Sequence, residues 1–478
     1  MKTPFHFRSL AVLLLYLSSA FTVRATHLLG ADITYTYEGT VTNPYQYHVQ
    51  VQLFHDLNSL VDEPSIVLTC GSNGCGTSLP GSFTTTLLRT HKETAASSCA
   101  FRYIYYGIST LEGNIVLPPA QWTLSIEGTN RGSNILNMVQ SNSQTMYVKA
   151  ELDNSTRLAN SSPRFTSNQL IQLSSVQAQQ RYSLNAFDAE GDSLTYQLVQ
   201  LMAAPSATAA CGNPIAGTIA PHFQIDGASG ALITTNGPAQ QGSYALAGRV
   251  DEYRRVGGNW QKIGSITRDM TYVLLIANNQ PPAFTRVSFT GNPTSQLLGQ
   301  TIRVNPGQTL ALTLTAADAD AGQVVRVSSL LNTVVPGTTF QSLPNGQAQL
   351  TWQVPPTLRP GTYYLTATAT DDACTLPGSQ VLLQPVPVTT PARATRQRQA
   401  LAQLPYPTPF QEAVQFRLAG PGQQPVTITD GLGRTVAQLQ TAADGSLTWR
   451  PTPALTAGLY FARTPDGTQV ARLAYAGR

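Results

Sequence analysis

Charge is what this chain of 478 residues has least of. Asp, Glu, Lys and Arg together make up 11% of it, against about 25% in ordinary globular domains. Lysine is nearly missing: four residues, beside 25 arginines. Once Lys2, Arg8 and Arg24 are set aside as part of a removable leader, the charge balance of +4 falls to +1. A chain so near neutrality has no global field for nucleic acid or an anionic membrane, which excludes nucleic acid as a partner. Helical periodicity is almost absent, and its best instance, Arg396–Leu404, sits in a connector. Long apolar runs are missing too. The longest, Leu10–Leu17, is too short to span a bilayer, so the mature chain carries no transmembrane anchor.

Catalytic vocabulary is equally thin. None of the six histidines is followed by Glu, so there is no H-E-x-x-H zinc helix. No lysine follows a glycine, which excludes a phosphate-binding loop, and there is neither a G-x-S-x-G elbow nor a C-x-x-C pair. Gly191-Asp-Ser-Leu194 spells the nucleophile block of a hydrolase family, but that chemistry needs a histidine as base. The one histidine downstream, His222, has Ile219 where that family places an aspartate. The serine reading is therefore set aside and no catalytic residue is assigned. The chain reads as a non-enzyme.

What is present is apolar bulk, 42% of residues, with 37 glycines and 32 prolines, enough for several cores and many turns. Lys2 and Arg8 before the apolar run, then small residues up to Ala25, form a secretory leader over residues 1–25. Export permits disulfides. Five cysteines make at least one odd, and a bridge is expected among Cys70, Cys75 and Cys99. Apolar residues alternate at Ile33, Tyr35 and Tyr37, through Tyr45, Tyr47, Val49, Val51 and Leu53, and at Trp122, Leu124 and Ile126. Such alternation predicts half-buried strands. Asn142-Ser143, Asn236-Gly237, Asn345-Gly346 and Asp466-Gly467 mark turns between them. The fold class is all-β. The tyrosines Tyr35, Tyr37, Tyr45, Tyr47, Tyr103 and Tyr105 fit a strand core or, alternatively, a sugar-stacking platform.

A diverged repeat organises the middle. Ser162-Pro163-Arg-Phe165 recurs as Pro281-Pro282-Ala-Phe284, and Gly242-Ser-Tyr244 as Gly361-Thr-Tyr363, both 119 residues later. Asp188-Ala-Glu-Gly-Asp192 matches Asp318-Ala-Asp320, and Asp251-Glu252 matches Asp371-Asp372. Units of about 120 residues with short, regular strands read as tandem β-sandwiches. The segments become a leader (1–25), an N-terminal β-rich domain (26–157), repeats at 158–278 and 279–388, a linker (389–404) and a C-terminal domain (405–478).

The phrases Asp188-Ala-Glu-Gly-Asp-Ser-Leu-Thr-Tyr196 and Phe223-Gln-Ile-Asp-Gly-Ala-Ser-Gly-Ala-Leu232 resemble bacterial cadherin-like or immunoglobulin-like repeats. That resemblance implies Ca²⁺ as the only expected cofactor, held by acids at repeat ends. The candidates are Asp188, Glu190, Asp192 and Asp251, then Asp318, Asp320, Asp371 and Asp372. The competing reading is an ordinary Asp/Gly turn. His27-Leu-Leu-Gly-Ala-Asp-Ile-Thr-Tyr35 with Tyr47–Asp56 resembles the opening of large exported surface proteins of Bacteroidetes-type bacteria, departing from it at Gly30-Ala31-Asp32 and at His55-Asp56-Leu57.

The C-terminus resembles the sorting domain of the type IX (Por) secretion system. Tyr406-Pro407-Thr-Pro409-Phe410 matches its opening, Gly433-Arg434 its turn and Gly458-Leu459-Tyr460 its late strand, in order and spacing. The resemblance implies the type IX machinery as partner, transport across the outer membrane, and a cell-surface or extracellular location. The combined expectation is a non-catalytic adhesion or display protein. A carbohydrate-binding exported protein is the alternative, with an unrecognised secreted hydrolase after it, and a glycan or cell-surface protein would be the ligand.

Overall fold

The structure, a computed structural model, describes residues 28–57, 63–94, 106–128, 131–389 and 399–477, apart from 133, 169, 175–178, 236, 238–239, 375 and 421. The leader, Cys99, Tyr103, Tyr105 and most of the linker lie outside the described residues. The described chain is all-β save for a single α-helical turn, Leu331–Val334, and a 3-10 turn at Ser141–Ser143. The helix expected over 396–404 does not form in its described part, since Gln403–Tyr406 is a strand. Two compact units divide at residues 389 and 390.

The first unit opens with seven strands: β1 (Leu28–Tyr37), β2 (Gln46–Asp56), β3 (Ser65–Ser72), β4 (Phe83–Thr94), β5 (Tyr106–Val116), β6 (Gln121–Gly128) and β7 (Met146–Asp153). They run side by side in the order β1-β2-β5-β4-β3-β6-β7, all antiparallel. β2 buries Tyr47, Val49, Val51 and Leu53 and turns the residues between them outward, as its alternation predicts. Tyr35 and Tyr47 are each 1% exposed and meet edge to face at 6.1 Å. They fill the core and offer no platform to a sugar.

Both ends of this order meet one strand. The hairpin Gly242–Val256/Asn259–Leu275 belongs to the first repeat, and its second strand hydrogen-bonds β7 through Gly264–Ile266. The same edge pairs β1 through Arg268–Met270, and then runs parallel to Gln172–Ser174. The sheet therefore closes around a single core that extends from Leu28 to Leu274. The segment boundary expected near residue 157 lies within that sheet and core. On the hairpin's outer flank, Ser193–Val199 completes the order.

Two ion pairs sit at this closure, inside the protein. Neighbouring residues in a strand point to opposite faces, and Arg268 and Asp269 use one face each. Asp269 accepts two hydrogen bonds from the Arg131 guanidinium, at 2.7 and 2.5 Å. Arg131 also donates to the carbonyls of Thr145 and Met202. On the other face Arg268 donates to Asp32 at 2.7 Å, its guanidinium lying 4.0 Å from the centre of the Phe165 ring. All four side chains are at most 3% exposed.

The second repeat is a sandwich. A four-stranded sheet (Ala283–Phe289, Thr309–Ala317, Gln347–Gln353, Thr338–Leu343) packs on a three-stranded one (Arg326–Ser328, Gly361–Thr370, Ser379–Val388). Trp352, wholly buried, lies in the shared core with Val287, Leu312 and Val386. Asn345-Gly346 turns with positive φ at both residues, as the hairpin signal requires.

The second unit carries seven short strands between Gln403 and Tyr475. Sheets of three and four strands enclose Phe410, Phe416, Trp449, Tyr460, Leu473 and Tyr475. Val414, Phe416 and Leu418 are buried, as are Val426, Ile428, Leu447 and Trp449, so the alternate residues of these strands lie on the core face.

The disulfide differs from expectation. Cys75 pairs with Cys211, 136 residues away, while Cys70 is a free, buried thiol pushed up to about 12 by burial, and Cys374 is free and exposed. The C-x4-C spacing invited a local bridge, but Cys70 points into the core from β3, and the turn after it carries Cys75 away.

Removing one member of a buried pair leaves the other charge uncompensated. Arg131→Met should therefore cost about 3–5 kcal/mol in equilibrium denaturation of the full chain, and Arg131→Met/Asp269→Leu should recover most of that loss. A double variant no more stable than the single one would show that the pair is not what is lost.

Candidate functional site

All but one of the acids that the sequence singles out collect at two nodes built to one plan, one per repeat. In the first node, Asn160 precedes Ser161-Ser162-Pro163, and Ser162 binds this segment to β1: its N–H donates to the Tyr35 carbonyl and its Oγ accepts from the Tyr35 N–H at 2.9 Å. Asn160 Nδ2 then reaches Glu252 Oε2 at 3.0 Å, while the backbone N–H of Ser161 donates to Glu190 Oε1 at 3.1 Å. The turn Asp188–Asp192 closes on itself, Asp188 Oδ1 accepting from the Asp192 N–H at 2.7 Å. Gly191 is required there. Its φ is +76°, and a Cβ would lie 2.8 Å from the Arg359 Cβ and the Tyr363 hydroxyl.

The second node repeats these bonds. Asn279, 119 residues after Asn160, donates to Asp371, 119 residues after Glu252, at 2.9 Å. The N–H of Gln280 donates to Asp320 Oδ2 at 2.8 Å, as that of Ser161 does to Glu190. Asp318 Oδ1 accepts from the Asp320 N–H at 2.8 Å, in the manner of Asp188. Asp372 lies beside them and caps the Val324 N–H. The nodes differ in closure. Both oxygens of Asp371 take backbone or Asn donors, among them the Gly378 N–H at 3.0 Å.

In the first node Asp188, Asp192 and Glu252 each bring an oxygen within 4.8 Å of the others. Asp192 is taken up by Arg254, whose Nε donates to both its oxygens at 2.8 and 2.9 Å. Arg359 adds a longer contact at 3.5 Å. Asp188 Oδ2, Glu190 Oε2 and Glu252 Oε1 are buried without a hydrogen-bond partner, and Glu252 is wholly buried. Four carboxyl groups thus face two guanidiniums. An excess of negative charge in a dry place is relieved by protons or by a cation. Burial first, then the charges of Asp192 and Glu190, push Asp188 up to about 7. Burial and the neighbouring Asp188 push Glu252 well above the usual carboxylate range.

Asp251 does not join this node. Strand alternation turns it to the opposite face from Glu252, where it binds Lys262 at 2.7 Å and Arg249 at 3.2 Å. Glu252 takes the place assigned to it. The signal was present in the sequence: the offset of 119 carried by Gly242 and Gly361 pairs Glu252, not Asp251, with Asp371. The same offset pairs Asn160 with Asn279, which residue-type reasoning passed over because neither is acidic.

Ser193 and His222 are not brought together. Ser193 stands opposite Tyr253, whereas His222 is buried against Tyr244 and hydrogen-bonded to the Tyr272 hydroxyl at 2.9 Å. Tyr244 and Tyr253 lie nine residues apart on one strand, about 30 Å at the strand rise.

The sorting-motif residues divide between core and surface. Phe410 and Tyr460 are buried, Tyr406 is 73% exposed, and Pro407, Pro409, Gly458 and Leu459 are on the surface. Gly433 has a φ of +82°, in a turn where Asp430 accepts from the N–H groups of Leu432 and Arg434 and from Arg434 Nε at 2.7 Å.

The raised carboxyl of Asp188 fixes the sign of a pH effect. Folding favours its protonated form, so its stabilising contribution is full below the unfolded value of 3.8 and is lost as pH rises through about 7. Asp188→Asn cannot ionise. In chelator, its stability relative to wild type should rise across that interval, by on the order of a few kcal/mol, as read by urea denaturation at several pH values. A difference independent of pH would show that Asp188 ionises in the folded chain as it does in the unfolded one.

No protein-family model matches the chain, and no curated protein matches it. Among solved structures, the three-domain titin fragment I67–I69 (an E-to-A variant) aligns with 66% of this chain and 99% of its own, at 9% identity and a TM-score of 0.16. Protocadherin gamma B2 extracellular cadherin domains 3–6 align at 14% identity and a TM-score of 0.18, covering 66% of this chain and 73% of that one. The N-terminal four immunoglobulin domains of Dscam1 align at 11% identity and a TM-score of 0.19, covering 80% and 99%.

Proposed function

We propose that the chain is a non-catalytic exported protein that displays its β-sandwich repeats at the cell surface or in the medium for adhesion or matrix building. The observation that carries this reading is the node built twice. In both repeats Asn and carboxylate groups spend their hydrogen bonds on backbone and on each other, tying the entry segment, the Asp turn and the hairpin strand together. That is the work of a part that stiffens a displayed array. Export is proposed to run through the type IX machinery, with residues 405–478 as the address. Their compact seven-stranded body with its own core supports this, because a recognised address must hold its shape when joined to different cargo. Among the described residues no helix is long and apolar enough to cross a membrane.

The first node suits Ca²⁺. A hard cation takes six to eight oxygens, and Asp188, Glu190 and Glu252 each present a buried oxygen with no partner. Asp188 and Glu252, whose oxygens gather with one of Asp192 within 4.8 Å, would hold the ion, with Asp192 also bound by Arg254. The second node offers Asp318 Oδ2 and Gln323 Oε1 in the same condition, while Asp371 is already saturated, so binding there should be the weaker.

Two measurements test the reading. Deleting residues 405–478 should trap the protein in the periplasm, and grafting them onto a periplasmic reporter should export it; equal surface protease accessibility of truncated and full-length chains would overturn the export reading. Millimolar Ca²⁺ should raise the Tm of wild type by several degrees and leave that of Glu252→Gln nearly unmoved. A wild-type Tm indifferent to Ca²⁺ would remove the ion.

A further inference from the structure

Above the first node lies an open cleft of about 850 Å³ that neither export nor calcium explains. Its wall includes the tip of the long hairpin, where Gly257 and Gly258 turn with φ of +60° and +89° and set Arg255 opposite Trp260. The Arg255 guanidinium lies 5.0 Å from the centre of the indole. Trp260 nevertheless remains 57% exposed, a large aromatic surface that folding has left in water. On the facing wall the Tyr363 hydroxyl donates to the Arg359 carbonyl at 2.9 Å and holds the backbone of that turn. The Arg359 side chain is 56% exposed, and its contact with Asp192 is a long 3.5 Å.

The charges sort by depth. Both acids lining the cleft lie beneath it: Asp188 is buried, and the Asp192 side chain is 2% exposed and bound to Arg254. The exposed charges of the lining, Arg255 and Arg359, are both positive. Guanidinium forks match carboxylates in a two-pronged geometry, and an exposed indole beside them offers a flat face for stacking. A cleft of this volume is in the range that encloses a ligand of a few rings.

We propose that this cleft binds an acidic polysaccharide, with Trp260 stacking on a sugar ring and Arg255 and Arg359 receiving uronate carboxylates. The inference deepens the display reading by naming its ligand class, and it does not depend on calcium. The ligand's carboxylates separate it from a neutral glycan, and its ring faces separate it from an acidic peptide.

The test is calorimetric titration of the full chain with a galacturonic acid oligomer, its methyl ester and poly-glutamate, each in chelator and in Ca²⁺. The oligomer should bind, the ester and poly-glutamate should bind at least about tenfold more weakly, and Trp260→Ala and Arg359→Gln should each cost roughly tenfold or more. Both substitutions are at exposed positions, and unchanged melting curves confirm that the variants fold. Equal binding of oligomer and ester, equal binding of poly-glutamate, or unaltered affinity in Trp260→Ala would each overturn the proposal. Its failure is distinct from that of the reading beneath it: absence of binding with export and the Ca²⁺ shift intact removes the ligand alone.

Discussion

One strand edge organises the first unit. Residues Gly264–Leu275 offer a single row of backbone donors and acceptors, and three partners divide it: β7, β1 and Gln172–Ser174. Because β1 and β7 are the two ends of the same strand order, their meeting on one edge covers the edges these two strands would otherwise present, and Ser193–Val199 is left as the outer strand. The core must then be filled from every strand, which is why β1 is buried along most of its length and not on alternate residues alone. At this closure the interior carries charge, Arg268 to one face and Asp269 to the other.

The scarcity of charge in the sequence takes on a different meaning once these positions are known. A chain with few ionisable groups places many of them inside: Asp32, Arg131, Asp188, Asp251, Glu252, Arg254, Arg268, Asp269 and Asp371 are all buried. Each such group is costly unless paired, and pairing is directional. Much of the outer face is left to Ser, Thr, Gln and Asn, which solvate strands without building a field. Charge in this protein locates segments relative to one another, and the surplus of acid over base at the first node is the place where that arrangement asks for something more.

How much of this was legible in the sequence follows from the range of the interactions. Period-two alternation is a local signal, so β2 was readable, and so was the Asn345-Gly346 turn. The Asp188–Asp192 turn was legible because its bonds are made within five residues. Glu252 was marked only by the 119-residue offset, because residue type and local pattern do not say which of two adjacent acids faces inward. The Cys75–Cys211 bridge and the closure by the first repeat's hairpin were out of reach for the same reason at larger scale: nothing near Cys75 marks residue 211, and nothing in β1 marks residue 268.

That distance has a consequence in time. A chain is made from its amino end, and β1 is its first strand in the described structure, yet Asp32 finds Arg268 only across 236 residues. Until the hairpin has emerged, β1 has one neighbour, β2, and an acid facing an interior that does not exist. The loop to be closed is long, and the order it imposes is strict. The sheet waits, open along the flanks of β1 and β7, for its last strand. Whatever shelters those two edges during synthesis decides how much of the chain reaches the folded state.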